Sequence, residues 1–248
     1  MQQRRVDVAV IGAGSAGLAA YRAARKWTSS VVLIEGGPYG TTCARVGCMP
    51  SKLLIAAAEA AHAVTEAPAF GVQATAPRID GVAVMQRVRS ERDRFVGFVV
   101  ESVEDIPAEH RLRGMARFVD GHTLQVGDDL IVQAGRVVIA TGSSPAYPPF
   151  FAPLGDRLLV NDDIFDWQDL PRRVAVFGPG VIGLELGQSL HRLGVDVLMF
   201  GIDEIVGPLT DPAVRAAARD AFAAEFYLDP DAQVNSMVRT DDGVRIDY

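Results

Sequence analysis

The sequence predicts an α/β protein made of two doubly wound units with parallel sheets, and three observations predict it. A β-branched apolar run from Val6 to Ile11 leads straight into Gly12-Ala13-Gly14-Ser15-Ala16-Gly17, and an Ala-rich, helix-favouring stretch follows from Leu18 to Lys26. A second run, Arg173 to Phe177, leads into Gly178-Pro179-Gly180-Val181-Ile182-Gly183 and a helical stretch from Leu184 to Leu193. Between the two, the proline-rich piece Pro145 to Pro153 discourages regular pairing and marks a boundary, giving a first unit over residues 1–150 and a second over 151–248.

Each element has a local reason. In a strand-turn-helix of this kind Gly12 permits the tight turn, Gly14 lets a pyrophosphate approach the backbone, and Gly17 lets the helix pack closely on the strand. The helix N-terminus then faces the phosphates, with Ser15 and Ala16 in its first turn. This is a Rossmann-like, dinucleotide-binding signature. A second strand, Ser30 to Ile34, ends in Glu35, placed to bond both hydroxyls of an adenosine ribose and to repel a 2′-phosphate. From Ser51 to about Ala67 the sequence reads as a helix starting after Pro50, and Ile79 to Ser102 as another after the breakers Pro68, Gly71 and Pro77. Arg111 to Gln133 reads as a small β-meander of short antiparallel strands, with turns at Asp120-Gly121 and Gly127-Asp128-Asp129. A buried strand, Arg136 to Ala140, runs into Thr141-Gly142-Ser143. In the second unit, Gly194 closes the helix and Val195 to Phe200 forms the next strand. That strand ends in Gly201 and Ile202, with Asp203 and Glu204 just beyond, so it lacks a clear ribose reader; no Arg or Lys stands ready for a 2′-phosphate, which leans the second nucleotide towards NAD, with NADP possible. The last residues, Asp242 to Tyr248, look like a hairpin strand partway through an incomplete second unit.

The chain's only two cysteines, Cys43 and Cys48, have four residues between them, with Lys52 after them. Two thiols alone at that spacing read as a redox pair. Cys48 falls near the N-terminus of the helix after Pro50, where the partial positive charge favours a thiolate. Zinc fits poorly, since the four histidines, His62, His110, His122 and His191, are scattered and unpaired, so no metal site is expected.

Composition narrows the function further. A net charge of −7 offers no basic surface for nucleic acid. Acidic residues interrupt the basic run from Arg87 to Arg94, which reads as a solvated helix face. Arg4 and Arg5 ahead of an apolar stretch superficially suggest a secretory signal, but Asp7 and the spaced glycines argue against it. The apolar runs are too short and interrupted to span a membrane, which takes about 20 residues. The expectation is a soluble, cytoplasmic protein, in which a cysteine pair serves catalysis.

Two dinucleotide units with a Cys-x4-Cys pair between them resemble the class I flavoprotein disulfide reductases: dihydrolipoamide dehydrogenase, glutathione reductase, mercuric reductase and their relatives. The matching stretches come in order: the first glycine turn with Glu35, the cysteine segment ending in Pro50-Ser51-Lys52, the strand end Ala140-Thr141-Gly142, and Gly178 to Glu185. The resemblance implies FAD in the first unit, NAD or NADP in the second, and a redox-active disulfide against the flavin. It implies that Cys43 is the interchange thiol, that Cys48 lies beside the flavin, and that Lys52 sits near flavin N5, paired with Glu185. Thr42 would contact the pyrophosphate, Ala116 would lie near the adenine, and Thr141 and Gly142 would line the flavin site. Val181, where glutathione reductases place a tyrosine, makes Gly180 to Gly187 similar to dihydrolipoamide dehydrogenase, so a lipoyl or other small dithiol or disulfide is the expected substrate. An NADPH-dependent mercuric or other disulfide reductase, or a truncated non-catalytic nucleotide-binding module, are the alternatives. Family members usually carry Gly where Thr41 stands and often Asn where Arg45 stands. They also continue into the rest of the nicotinamide domain, a returning FAD segment and a dimerisation domain with a His-x4-Glu base. The resemblance therefore implies an N-terminal fragment of a homodimeric reductase.

Overall fold

The computed structural model describes residues 2–248. Its contacts divide the chain into two compact units, one formed by the segment ending at Met49 together with Arg92–Ser144, the other by Pro50–Glu91 with Pro145–Tyr248. Sequence distance alone does not reveal that Pro50–Glu91 joins the later part of the chain, because only tertiary contacts define the grouping.

The first unit holds β1 (Gln2–Ile11), α1 (Ser15–Ala24), β2 (Val31–Glu35) and the short α2 (Thr42–Val46). The helix α3 (Cys48–Glu66) begins at its last residues and continues into the second unit, and α4 (Gly81–Glu104) begins in the second unit and ends in the first. The first unit then adds β3 (Arg111–Arg113), β4 (Ala116–Asp120), β5 (Thr123–Val126) and β6 (Leu130–Ile139). Together they form a six-stranded sheet in the order β3-β2-β1-β6-β5-β4. The β1–β2, β1–β6 and β2–β3 pairings are parallel, whereas β5 pairs antiparallel with both β4 and β6.

The meander differs from the sequence expectation in two ways. Arg111–Arg113 leaves it and extends the parallel edge beside β2. The expected separate strand at 136–140 is the second half of one ten-residue strand, β6, whose first half closes the meander while its length runs along β1. A single strand serves both because its two edges can pair independently.

Strand β2 explains why its sequence is an unbroken apolar run. Val31 and Leu33 face a core shared with Leu18 and Tyr21 of α1 and Val103 of α4, while Val32 and Ile34 face a second core with Leu124, Val126 and Val132. Covered on both faces, it needs no polar alternation.

The second unit contains β7 (Arg173–Phe177), α5 (Val181–Arg192), β8 (Asp196–Phe200), α6 (Pro212–Ala223) and β9 (Tyr227–Asp229), followed by the hairpin of β10 (Ser236–Arg239) and β11 (Val244–Asp247). Its sheet is parallel, in the order β7-β8-β9. Its strands follow one another across the sheet in chain order, so it is an incomplete Rossmann-like unit of three strands. α5 starts at Val181, a turn earlier than apolar periodicity suggests, because Gly180 supplies the extended N-cap.

Candidate functional site

The two glycine turns repeat each other in backbone geometry. Gly12 and Gly178 sit at φ +103° and +102°, a region closed to most side chains. Gly14 and Gly180, at φ −77° and −74°, cap α1 and α5. The Gly12 N–H donates to Ile34 O at 2.7 Å and the Gly178 N–H to Phe200 O at 2.8 Å, so each turn is tied to the end of the neighbouring strand. A Cβ on Gly17 would lie 1.8 Å from Gly12 O, and one on Gly183 would lie 2.1 Å from Gly178 O. Each helix therefore approaches its own turn as closely as a backbone can.

These helix starts are chemically unusual within the protein. Asp211 caps α6 by accepting from the Ala213 and Val214 N–H groups, and Thr41 caps α2 by accepting from Ala44 N–H. Neither α1 nor α5 has a side-chain cap or an acidic residue in its first turn. No atom lies within 4 Å of where a Cβ on Gly14 or Gly180 would stand. Exposed, uncapped amides at a positive helix end beside open space suit a pyrophosphate. The residues present thus fit the diphosphate of a dinucleotide in each unit.

At the adenosine end the two units diverge. Glu35 anchors its carboxylate on two amides, Oε2 accepting from Ala13 N–H and Oε1 from Gly37 N–H, each at 2.7 Å. Its remaining lone pairs are free to receive ribose hydroxyls. In the second unit Pro179 replaces Ala13 and has no N–H, and Gly201 directly follows β8 at the position corresponding to Glu35 at the end of β2. A Cβ on Gly201 would stand 2.7 Å from both the Pro179 ring and Pro230 O. An acidic reader of the first type is sterically excluded there, a reason the sequence pattern did not reveal. Asp203 and Glu204 follow in left-handed backbone, φ 58° and 53°, and Glu204 reaches Arg215 at 3.7 Å.

Of the other expected contacts of the first unit, some lie beside its own glycine turn. Thr141 and Gly142 follow β6, and Gly12 lies against Ala140 O and Thr141 N. Ala116 opens β4; next to it, Met115 lies against Gly36, directly after Glu35. Thr42 is exposed at the start of α2, and it is Thr41 rather than Thr42 whose side chain secures that turn. Cys43 is half-buried on α2 and Cys48 is exposed as the first residue of α3. Burial raises the Cys43 thiol above its ordinary value, and its hydrogen bond with the Cys48 thiol raises it further. Both are free thiols within hydrogen-bonding reach of each other.

In the second unit, Lys52 Nζ lies 2.9 Å from Glu185 Oε2. Burial works to raise the Glu185 carboxyl, but hydrogen bonds from Ser51 and Lys52, with the lysine's charge, outweigh it and hold the group below the usual carboxylate range. Ser51 is a partner that the sequence reading did not single out; its position one residue before Lys52 is the only signal it gave. Glu185 also lines a cavity of about 390 Å³ with Val181, Leu184, Val206 and Phe222. Val181 and Ile182, at the head of α5, are exposed. Among the described residues there is no cluster of three or more His, Cys, Asp or Glu able to hold a metal ion, and no helix is long and apolar enough to cross a membrane.

The model of the family described as pyridine nucleotide-disulphide oxidoreductase matches residues 6–245, almost the whole chain. The chain belongs to that family. Members of this family use FAD and NAD(P)H. Among curated proteins, a mercuric reductase of Streptomyces lividans is 36% identical over 228 residues, covering 88% of this chain and 47% of that protein. One from Shigella flexneri is 36% identical over 226 residues, covering 89% and 40%. The chain thus spans less than half the length of these relatives. Of solved structures, LpdA from Mycobacterium tuberculosis superposes with a TM-score of 0.81 at 25% identity, covering 97% of this chain and 55% of that one. The HOCl-induced flavoprotein disulfide reductase RclA of Escherichia coli, as its Cu(II) complex, gives 0.82 at 21% identity, covering 99% and 53%, and shares the fold.

Proposed function

We propose that this protein provides the FAD site, the nicotinamide-nucleotide turn and the redox thiols of a disulfide oxidoreductase, passing electrons between NAD(P)H and the Cys43–Cys48 pair. The observation that carries the reading is the hydrogen-bonded thiol pair at the head of α3, the helix whose Lys52 is ion-paired with Glu185 beside the second glycine turn. Bound in the first unit, FAD would supply the two-electron relay between a nicotinamide hydride and sulfur. Gly12, Gly14, Ser15, Ala16 and Gly17 would hold its pyrophosphate on the start of α1, Glu35 its ribose, and Thr42, Ala116, Thr141 and Gly142 its flanks. Gly178, Gly180, Val181, Ile182 and Gly183 would hold the nicotinamide nucleotide on the start of α5.

The chain's own residues then account for the sulfur chemistry. With the pair reduced, Cys43 loses its proton and attacks a substrate disulfide, forming a mixed disulfide and releasing one substrate thiol. Cys48 attacks the Cys43 sulfur, freeing the second thiol and leaving a Cys43–Cys48 disulfide. Two electrons from NAD(P)H restore the dithiol. Burial favours the protonated form of Cys43, so its exchange rate rises with pH until it ionises. Lys52, ion-paired with Glu185, would supply the positive charge that the family resemblance implies near flavin N5.

Two substrates are favoured by different observations. Val181 in Gly180-Val181-Ile182-Gly183 supports a lipoyl-type dithiol, whereas the mercuric reductases among the relatives support a thiophilic metal ion, Hg(II), reduced at the same thiols. The test uses the complete protein loaded with FAD. Anaerobic NADH or NADPH should expose two titratable thiols, lost in Cys43→Ser and Cys48→Ser while the flavin absorbance remains. Reduced flavin with no new thiols sinks the reading. Turnover with lipoamide against turnover with Hg(II) separates the two substrates.

A further inference from the structure

Helix α3 carries a second charged contact to α5, and its placement is informative. Arg192 Nη1 donates to Glu59 Oε1. Lys52 and Glu185 are each the fifth residue of their helices, α3 and α5; Glu59 and Arg192 are each the twelfth. Two contacts that advance together by seven residues mean that the two helices run in the same direction. The rungs are about 10 Å apart on nearly one face, since seven residues make almost two full turns.

The charges also oppose each other between rungs. α3 is positive and α5 negative at the first, and the signs reverse at the second. Sliding one helix by a heptad brings Lys52 against Arg192 or Glu59 against Glu185, like charge on like. Only the observed register satisfies both rungs.

Arg192 is the fixed point of the arrangement. Its side chain is only 14% exposed, and it grips Glu225 as a fork, Nε to Oε2 at 2.9 Å and Nη2 to Oε1 at 3.0 Å. Gln188 Nε2 holds the same carboxylate at 2.7 Å. A planar guanidinium engaged on two edges cannot swing to follow α3, so α3 must come to it.

We propose that Arg192, Glu225 and Glu59 form a register lock that fixes α3 along α5 and so positions Lys52 on Glu185, making Arg192 and Glu59 positioning residues for electron transfer. The functional part rests on the role proposed above for Lys52, while the lock itself stands on the geometry of the second unit. It accounts for a buried fork more than a helical turn away from Lys52 that no step of the sulfur chemistry uses.

The test follows the Glu185 carboxyl by ¹³C NMR titration in the full chain, comparing wild type with Glu59→Gln. The sign decides it. Deleting the Glu59 charge acts directly on Glu185 by removing a like charge, which lowers its midpoint. Releasing the lock loosens the Ser51 and Lys52 contacts that hold the carboxyl down, which raises it, by roughly 0.5 pH unit. Glu59 is 58% exposed, so the isosteric change leaves the fold intact. Arg192→Lys, which keeps the charge but loses the fork, should give the same rise and serves as a second variant. In a Lys52→Met background, Glu59→Gln should give little or none of it. An unchanged or lowered midpoint, or an equal rise without Lys52, overturns the lock; either leaves the reductase reading standing, because that depends on thiol formation instead.

Discussion

Replacing Thr41 with glycine should stabilise the protein even though it removes a helix cap. Thr41 sits at φ 58°, ψ 151°, a conformation that glycine adopts freely and that costs a side-chain-bearing residue about 1–3 kcal/mol. Against this relief stands the cap, Thr41 Oγ1 accepting from Ala44 N–H at 3.1 Å. Exchanging a threonine cap for glycine costs only a few tenths of a kcal/mol. Glycine also adds freedom to the unfolded chain, roughly 0.5–1 kcal/mol. At the middle of the strain range, the balance favours Thr41→Gly by about 1 kcal/mol, a rise in Tm of about 2–4 °C for a chain of this size. Thr41→Ala is the control, because it keeps the strain and loses the cap, and should cost about 1 kcal/mol. Urea denaturation at unchanged m measures both. A glycine variant less stable than wild type, or both variants shifting the same way, would refute the argument. The strain lies two residues before Cys43, so α2 carries that thiol on a turn whose backbone is not at rest.

Further outcomes follow from the same geometry. Gly183→Ala should abolish binding of the nicotinamide nucleotide while FAD remains bound, because a Cβ there meets the Gly178 carbonyl at 2.1 Å; retained NAD(P)H quenching would contradict the role of the second turn. His110, buried against Tyr21 with a 2.7 Å contact between its Nδ1 and the tyrosine hydroxyl, is held below its ordinary value by burial and by the Arg25 charge. The unfolded chain therefore binds the extra proton first, so this contribution to stability is complete above about pH 6.5 and is lost as pH falls below it towards the folded value. Urea midpoints measured from pH 7.5 down to 5.5 should fall, and an NMR titration placing His110 at or above its ordinary value would remove that cause. Lys52→Met in the complete protein should keep FAD but slow its reduction by NADH in a single turnover; an unchanged rate would leave Lys52 with a structural role only.

Much of this protein was legible in the order of its residues, for reasons local to the chain. Both glycine turns could be read because each depends on contacts within a short strand-turn-helix, where a Cβ at Gly12, Gly17 or Gly183 is excluded by backbone only a few residues away or on the adjoining strand. Glu35 was legible because the strand before it sets its position. Tertiary structure alone decided what depends on residues far apart in sequence. It made β6 one strand with two different neighbours, moved Arg111–Arg113 to the parallel edge, and grouped Pro50–Glu91 with Pro145–Tyr248. It closed the acidic ribose reader out of the second unit by setting Pro179 and Pro230 against Gly201. It also brought Glu59 to Arg192 across 133 positions of sequence. Spacing along a chain encodes a helix face or a turn, since their geometry repeats over a few residues; which two faces meet, and in which register, is settled only when the helices pack.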